Sequence, residues 1–178
     1  DADILNVSTD NFNKPVFVAI VQDPSTSNFH AFVSNYDPLP IAPFNRHITR
    51  LDFGNDILNQ SPNAIPLNTG ASYQSLEGIQ IVREGDTWYG FVVGGQAPPY
   101  ISQLNFGTNI LNANPTRTYM VNVGQLSYPH DLYVFKDEAT NQWFGLTVNA
   151  GPTMDQGVKD GSVTRFHFNQ GLNAVPVG

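Results

Sequence analysis

Cysteine is absent from the 178 residues, so neither a disulfide framework nor a thiolate metal cluster is available. Charge is scarce as well. Asp, Glu, Lys and Arg make up 13% of the chain, about half the share of an ordinary soluble domain. Eight Lys and Arg stand against fifteen Asp and Glu, and the resulting charge of −7 would repel phosphates, which excludes nucleic acid as the expected partner. No apolar run approaches the roughly 18 residues of a membrane span. The Ala, Glu, Lys and Leu of a helical bundle are few, and no stretch keeps apolar residues at helical spacing. What is plentiful is turn chemistry and rings: 15 Gly, 13 Pro, abundant Asn, 12% aromatics and 40% hydrophobic residues in all. That is enough apolar surface for a core, and it points to one all-β domain.

The chain opens on Asp1 with no signal peptide before it, which reads as a mature or excised form. Few Lys, many Asn and Thr and no Cys suit a secreted or cell-surface bacterial protein.

A repeat runs through the sequence. Ile48-Thr49-Arg50-Leu51-Asp52-Phe53-Gly54 matches Ile101-Ser102-Gln103-Leu104-Asn105-Phe106-Gly107 and Val163-Thr164-Arg165-Phe166-His167-Phe168-Asn169. Each is followed by a second block: Ile57-Leu58-Asn59, Ile110-Leu111-Asn112 and Gly171-Leu172-Asn173. Two further blocks lie between, beginning at Val18, Ile79 and Leu132, and at Phe29, Trp88 and Trp143. Leu51 to Leu104 is 53 residues and Leu104 to Phe166 is 62, so the chain holds about three units. Each unit reads as four short strands. The first two of the middle unit, 79–84 and 88–93, meet at Gly85-Asp86, a hairpin signal. Its third is 100–106, and fourth strands are expected near Ile65–Asn68 and Tyr119–Val123.

Tandem four-stranded units of this length are the mark of propeller blades. The expected fold is therefore an all-β propeller segment of about three four-stranded antiparallel blades, part of a larger or oligomer-closed ring. Approximate blades are 13–68, 76–123 and 130–178, with 1–12 ending a preceding unit. Three blades cannot close a ring, so the expected partners are flanking blades of a longer chain or a second copy. The pattern from Leu51 to Pro62, then Glu77-Gly78-Ile79, then Trp88-Tyr89-Gly90-Phe91-Val92, resembles propeller repeats in large secreted proteins of Bacteroidota. That resemblance implies a fold and a surface or type IX-secreted location, with links to gliding and adhesion, and implies no reaction.

The rings Trp88, Trp143, Phe53, Phe106 and Phe168 recur at matching positions, so they are expected to pack between blades rather than to stack on sugars. Ala31, Gly90 and Gly145 are expected where one sheet approaches the next. Function should sit where units differ, in the loops that share one propeller face. The residues singled out there as ligand-binding candidates are Tyr73, Glu77, Tyr100, Tyr128, His130 and Asp131.

The four histidines are scattered without metal-ligand spacing, and no cofactor is expected; Asp155 and Asp160 leave calcium as the one open cation. No nucleophile elbow or local triad appears, so no catalytic residue is assigned and the chain is not expected to be an enzyme. The expectation is a non-catalytic scaffold or adhesion module that contacts other surface proteins or glycans. The alternatives are a glycan-binding module using the loop face, and a fragment of a propeller hydrolase whose paired carboxylates converge from distant blades.

Overall fold

The computed structural model describes residues 11–39, 46–70, 73, 75–95, 98–120, 123–151, 161–169, 171–174 and 176. Among the described residues, eleven strands form three antiparallel sheets in which each strand pairs with the next in the chain. The first sheet is β1 (Pro15–Gln22), β2 (Phe29–Leu39), β3 (Arg46–Gly54) and β4 (Asn63–Pro66). The second is β5 (Leu76–Glu84), β6 (Thr87–Gly94), β7 (Tyr100–Gly107) and β8 (Thr116–Met120). The third is β9 (Pro129–Asp137), β10 (Gln142–Asn149) and β11 (Ser162–Phe168). Among the described residues no helix is long and apolar enough to cross a membrane.

The fourth strands begin two and three residues before the expected spans. Pro62 and Pro115 end the preceding turns, and pairing to the third strand starts at once, Asp52 with Asn63 and Asn105 with Thr116. Leu67 keeps a backbone bond from its N to Ile48 O at 2.8 Å, and its side chain is buried in the core.

β5 lies against both β1 and β9, so the first strands of the three sheets stand side by side at the inner edge. The middle sheet is apolar on both faces because both are covered. Along β6 the side chains alternate: Trp88 and Val92 join Phe32, Ile48 and Leu67 of the first sheet, while Tyr89, Phe91 and Val93 join Leu132, Val134 and Trp143 of the third. Trp88 and Trp143 are both buried at matching places, as are Phe53, Phe106 and Phe168.

The small residues of the second strands have a different cause from the one expected. A Cβ on Gly145 would stand 2.2 Å from the ring of Phe166, its partner on β11, and one on Gly90 would stand 3.2 Å from Ile81 and Phe106 of its own sheet. The glycines therefore make room for a ring of the same sheet, not for the next sheet.

The Asn-rich block forms the turn that follows the third strand of each sheet. Asp56 and Asn109 each accept a bond from the backbone two residues on, Leu58 N at 2.9 Å and Leu111 N at 2.9 Å. The backbone bond three residues across each turn runs Asn59 to Asp56, Asn112 to Asn109 and Ala174 to Gly171. This places Leu172, not Gly171, at the position of Ile57 and Ile110, one residue from the pairing that sequence similarity suggests.

Candidate functional site

Each sheet begins with a residue in the left-handed region: Lys14 at φ 51°, Ser75 at 48° and Tyr128 at 51°. That shared kink turns the chain into the innermost strand, and two residues later come Val16, Glu77 and His130. The second and third sheets thus bring Glu77 and His130 face to face at the strand entries. Glu77 Oε2 lies 3.8 Å from His130 Nδ1, and the carboxylate is 8% exposed. Burial pushes the Glu77 carboxyl above its ordinary value, with the His130 ring opposing that shift.

Tyrosines surround this pair. The Tyr128 ring sits 5.0 Å from His130, and its hydroxyl is hydrogen-bonded with Tyr36 from the first sheet. Burial foremost, with Tyr36 beside it, pushes the Tyr128 phenol upward. Tyr100 lies on the other side and stacks on Tyr73 at 5.9 Å. Gly94 and Gly95 make room for these rings: a Cβ on Gly94 would meet Tyr100 at 2.1 Å, and one on Gly95 would meet Tyr128 at 2.9 Å. Burial raises the Tyr73 phenol to about 12 and raises Tyr100 as well, so both stay protonated donors in any physiological range.

Arg117, which the sequence reading did not single out, holds the outer end of this row. Its guanidinium carbon stands 3.8 Å over Tyr73 and 4.1 Å over Tyr119, and Nε donates to Ser102 Oγ at 3.1 Å. Its Nη1 and Nη2 are buried and have no hydrogen-bond partner among the described residues. Tyr119 stands edge-on to Tyr100 at 6.1 Å and is 55% exposed. The available signal was one of the few cations placed on a strand rich in Thr and Tyr.

Of the six candidate residues, five form this linked row: Tyr73, Tyr100, Glu77, His130 and Tyr128. Asp131 does not join it. Successive strand residues point to opposite faces; His130 turns toward Glu77, and Asp131 is exposed and accepts from the Leu132 amide at 2.8 Å. Among the described residues no group of three His, Cys, Asp or Glu side chains could hold a metal ion. The calcium candidates Asp155 and Asp160 lie outside the described residues.

No protein-family model and no curated protein matches the sequence. Solved structures do match in fold. A xylan β-1,4-xylosidase from Bacillus halodurans superposes with a TM-score of 0.63 at 11% identity, covering 94% of this chain and 33% of its own. A thermostable family-43 glycoside hydrolase gives 0.64 at 6% identity, covering 93% and 51%. An α-L-arabinanase mutant from Cellvibrio cellulosa gives 0.60 at 9% identity, covering 98% and 60%. The chain therefore spans between a third and three-fifths of these neighbours, and the likeness establishes a β-propeller segment. It also corrects the expectation of a chain without enzymatic chemistry, since the structures that share this fold are glycoside hydrolases.

Proposed function

We propose that the chain is part of a propeller glycoside hydrolase, with Glu77 as the acid that protonates the leaving glycosidic oxygen. The observation that carries this reading is a buried carboxyl at the inner strand entries whose proton affinity is raised by burial. Glycoside hydrolysis uses one carboxylic acid kept protonated and a second, ionised carboxylate opposite it. The raised value suits Glu77 to the first role. The corresponding residues of the other two sheets are Val16 and His130, so the second carboxylate comes from outside these three strand entries.

The ring-lined row beside Glu77 is suited to sugars. Tyr100 and Tyr119 supply apolar faces, and the phenols of Tyr73, Tyr100 and Tyr128 remain protonated. Two of the fold neighbours are named for xylan and arabinan, which makes pentose oligosaccharides the first ligands to try. An extracellular polysaccharide target also accords with a secreted or cell-surface location.

Calorimetric titration with xylo- and arabino-oligosaccharides tests the reading. Saturable binding to one series is expected, and Tyr100→Ala should weaken it about tenfold, within the range of one lost aromatic contact. If neither series binds, the hydrolase reading is wrong. If one binds but Tyr100→Ala leaves affinity unchanged, the ligand sits elsewhere and Glu77 loses its role.

A further inference from the structure

The two joints between sheets inside the chain are built alike. In each, the first strand of the later sheet lays alternate residues on the earlier sheet: Ile79 and Ile81 are 6% and 5% exposed, Leu132 and Val134 5% and 2%. In each, the turn that follows the third strand of the later sheet drives an aliphatic knob against the earlier one, Ile110 in the first joint and Leu172 in the second, both fully buried. In each, a polar side chain on the earlier sheet's third strand donates to the knob's carbonyl oxygen. Arg50 Nη1 reaches Ile110 O at 3.2 Å, and Gln103 Nε2 bonds to Leu172 O.

At the two ends of the chain the same positions stand open. Val18 and Ile20, which match Ile79 and Ile81, are 57% and 59% exposed, and the knob Ile57 is 40% exposed. At the far end Val163 is 64% exposed where its counterparts Ile48 and Ile101 are fully buried. Arg165 holds the position of Arg50 and Gln103; it is exposed and makes no hydrogen bond or ion pair among the described residues. Among the described residues, one end is a knob without a donor and the other is a donor without a knob.

We infer that the ends fit each other: a second copy of this chain docks head to tail, with Ile57 of one copy against the third sheet of the other and Arg165 donating to the Ile57 carbonyl. The contact continues a joint that the chain already makes twice. It is complementary only in this sense, since two knob ends or two donor ends leave the carbonyl and the guanidinium unpaired. Two copies bring six sheets together, inside the range of roughly four to eight for closed propellers. A head-to-tail contact closes into a ring where the rotation allows and otherwise runs on into longer oligomers.

Sedimentation of the 178-residue chain from low to high micromolar concentration tests this inference. The wild-type chain should associate. Ile20→Asp blocks the knob end and Val163→Asp the donor end, at exposed positions where the fold itself tolerates charge; circular dichroism checks that it does. Each variant alone should stay monomeric, because every head-to-tail contact needs both ends. Mixed in equal amounts they should form a 1:1 pair through the one intact joint. Arg165→Met should weaken wild-type association by about tenfold, the worth of one hydrogen bond from a charged donor. A monomeric wild-type chain overturns the inference. So does association of either blocked variant by itself, which would reveal like-end pairing or unspecific adhesion of apolar faces.

Discussion

Arg50 is the most heavily committed side chain of the first joint, and Arg50→Met isolates what it contributes. The residue is 3% exposed. Its Nε lies 2.7 Å from Asp52 Oδ1, Nη2 lies 3.0 Å from Oδ2, and Nη1 reaches across to Ile110 O at 3.2 Å. Methionine keeps an unbranched apolar stem but removes all three donors. Asp52, 19% exposed, is left with His30 Nδ1 at 2.8 Å, and the Ile110 carbonyl loses its partner. Removing one member of a buried ion pair costs about 3–5 kcal/mol. Some water still reaches Asp52, so about 3 kcal/mol is the expected loss at neutral pH. Burial pushes the Asp52 carboxyl up, but hydrogen bonds from His30 and Arg50 outweigh it and hold the carboxyl below its ordinary value. A depressed folded-state value contributes stability that is present above the ordinary carboxyl range and is lost as pH falls through the depressed value. Without Arg50, burial faces His30 alone, the folded-state value rises, and less stability remains to be lost in acid. The penalty of the substitution should therefore shrink on going from neutral to acidic pH. Urea unfolding of both proteins at matched concentration measures it at each pH. A penalty below about 1 kcal/mol at neutral pH, far under the buried-pair range, or one that does not change with pH, would refute the reasoning.

Gly145→Ala should destabilise by about 1–3 kcal/mol, because the new methyl overlaps the buried Phe166 ring. Gly90→Ala, with 3.2 Å of clearance, should cost less than about 1 kcal/mol, since overpacking there needs only a small shift. Urea melts that rank the two the other way would show that the rings do not set this requirement. The raised Glu77 carboxyl has the opposite pH signature to Asp52. Its folded-state value lies above the unfolded one, so ionisation opposes folding and stability falls as pH climbs from the ordinary carboxyl value through the raised one. Glu77→Gln cannot ionise, and its melting temperature relative to wild type should rise from mildly acidic to neutral pH. A constant difference across that range would mean that Glu77 is not held in a charge-disfavouring site.

Much of the architecture is legible in the residues because pairing within a sheet is encoded locally. Gly85-Asp86 sets a hairpin, Pro62 and Pro115 end turns, and the Asn-rich block caps the third strand through its own side chains. The recurrence of Trp88 and Trp143 sufficed to place both indoles in buried joints, since a large ring kept in every unit has little else to do. Five of the six candidate site residues also come together, because loops that open the strands of neighbouring units share one face. Contacts between sheets are non-local and follow no short pattern. Nothing in the spelling of Tyr-Pro-His-Asp at 128–131 says that His130 meets Glu77 while Asp131 turns to solvent; the pleat of β9 against β5 decides it. Arg117 is likewise an ordinary strand residue until the stacked Tyr73 and Tyr100 bring their rings beneath it. The open ends make the same distinction. Val18, Ile79 and Leu132 occupy one position of one repeat, and sequence treats them alike. Only the tertiary structure leaves the first at 57% exposure and buries the others, because burial belongs to having a neighbour and not to the residue.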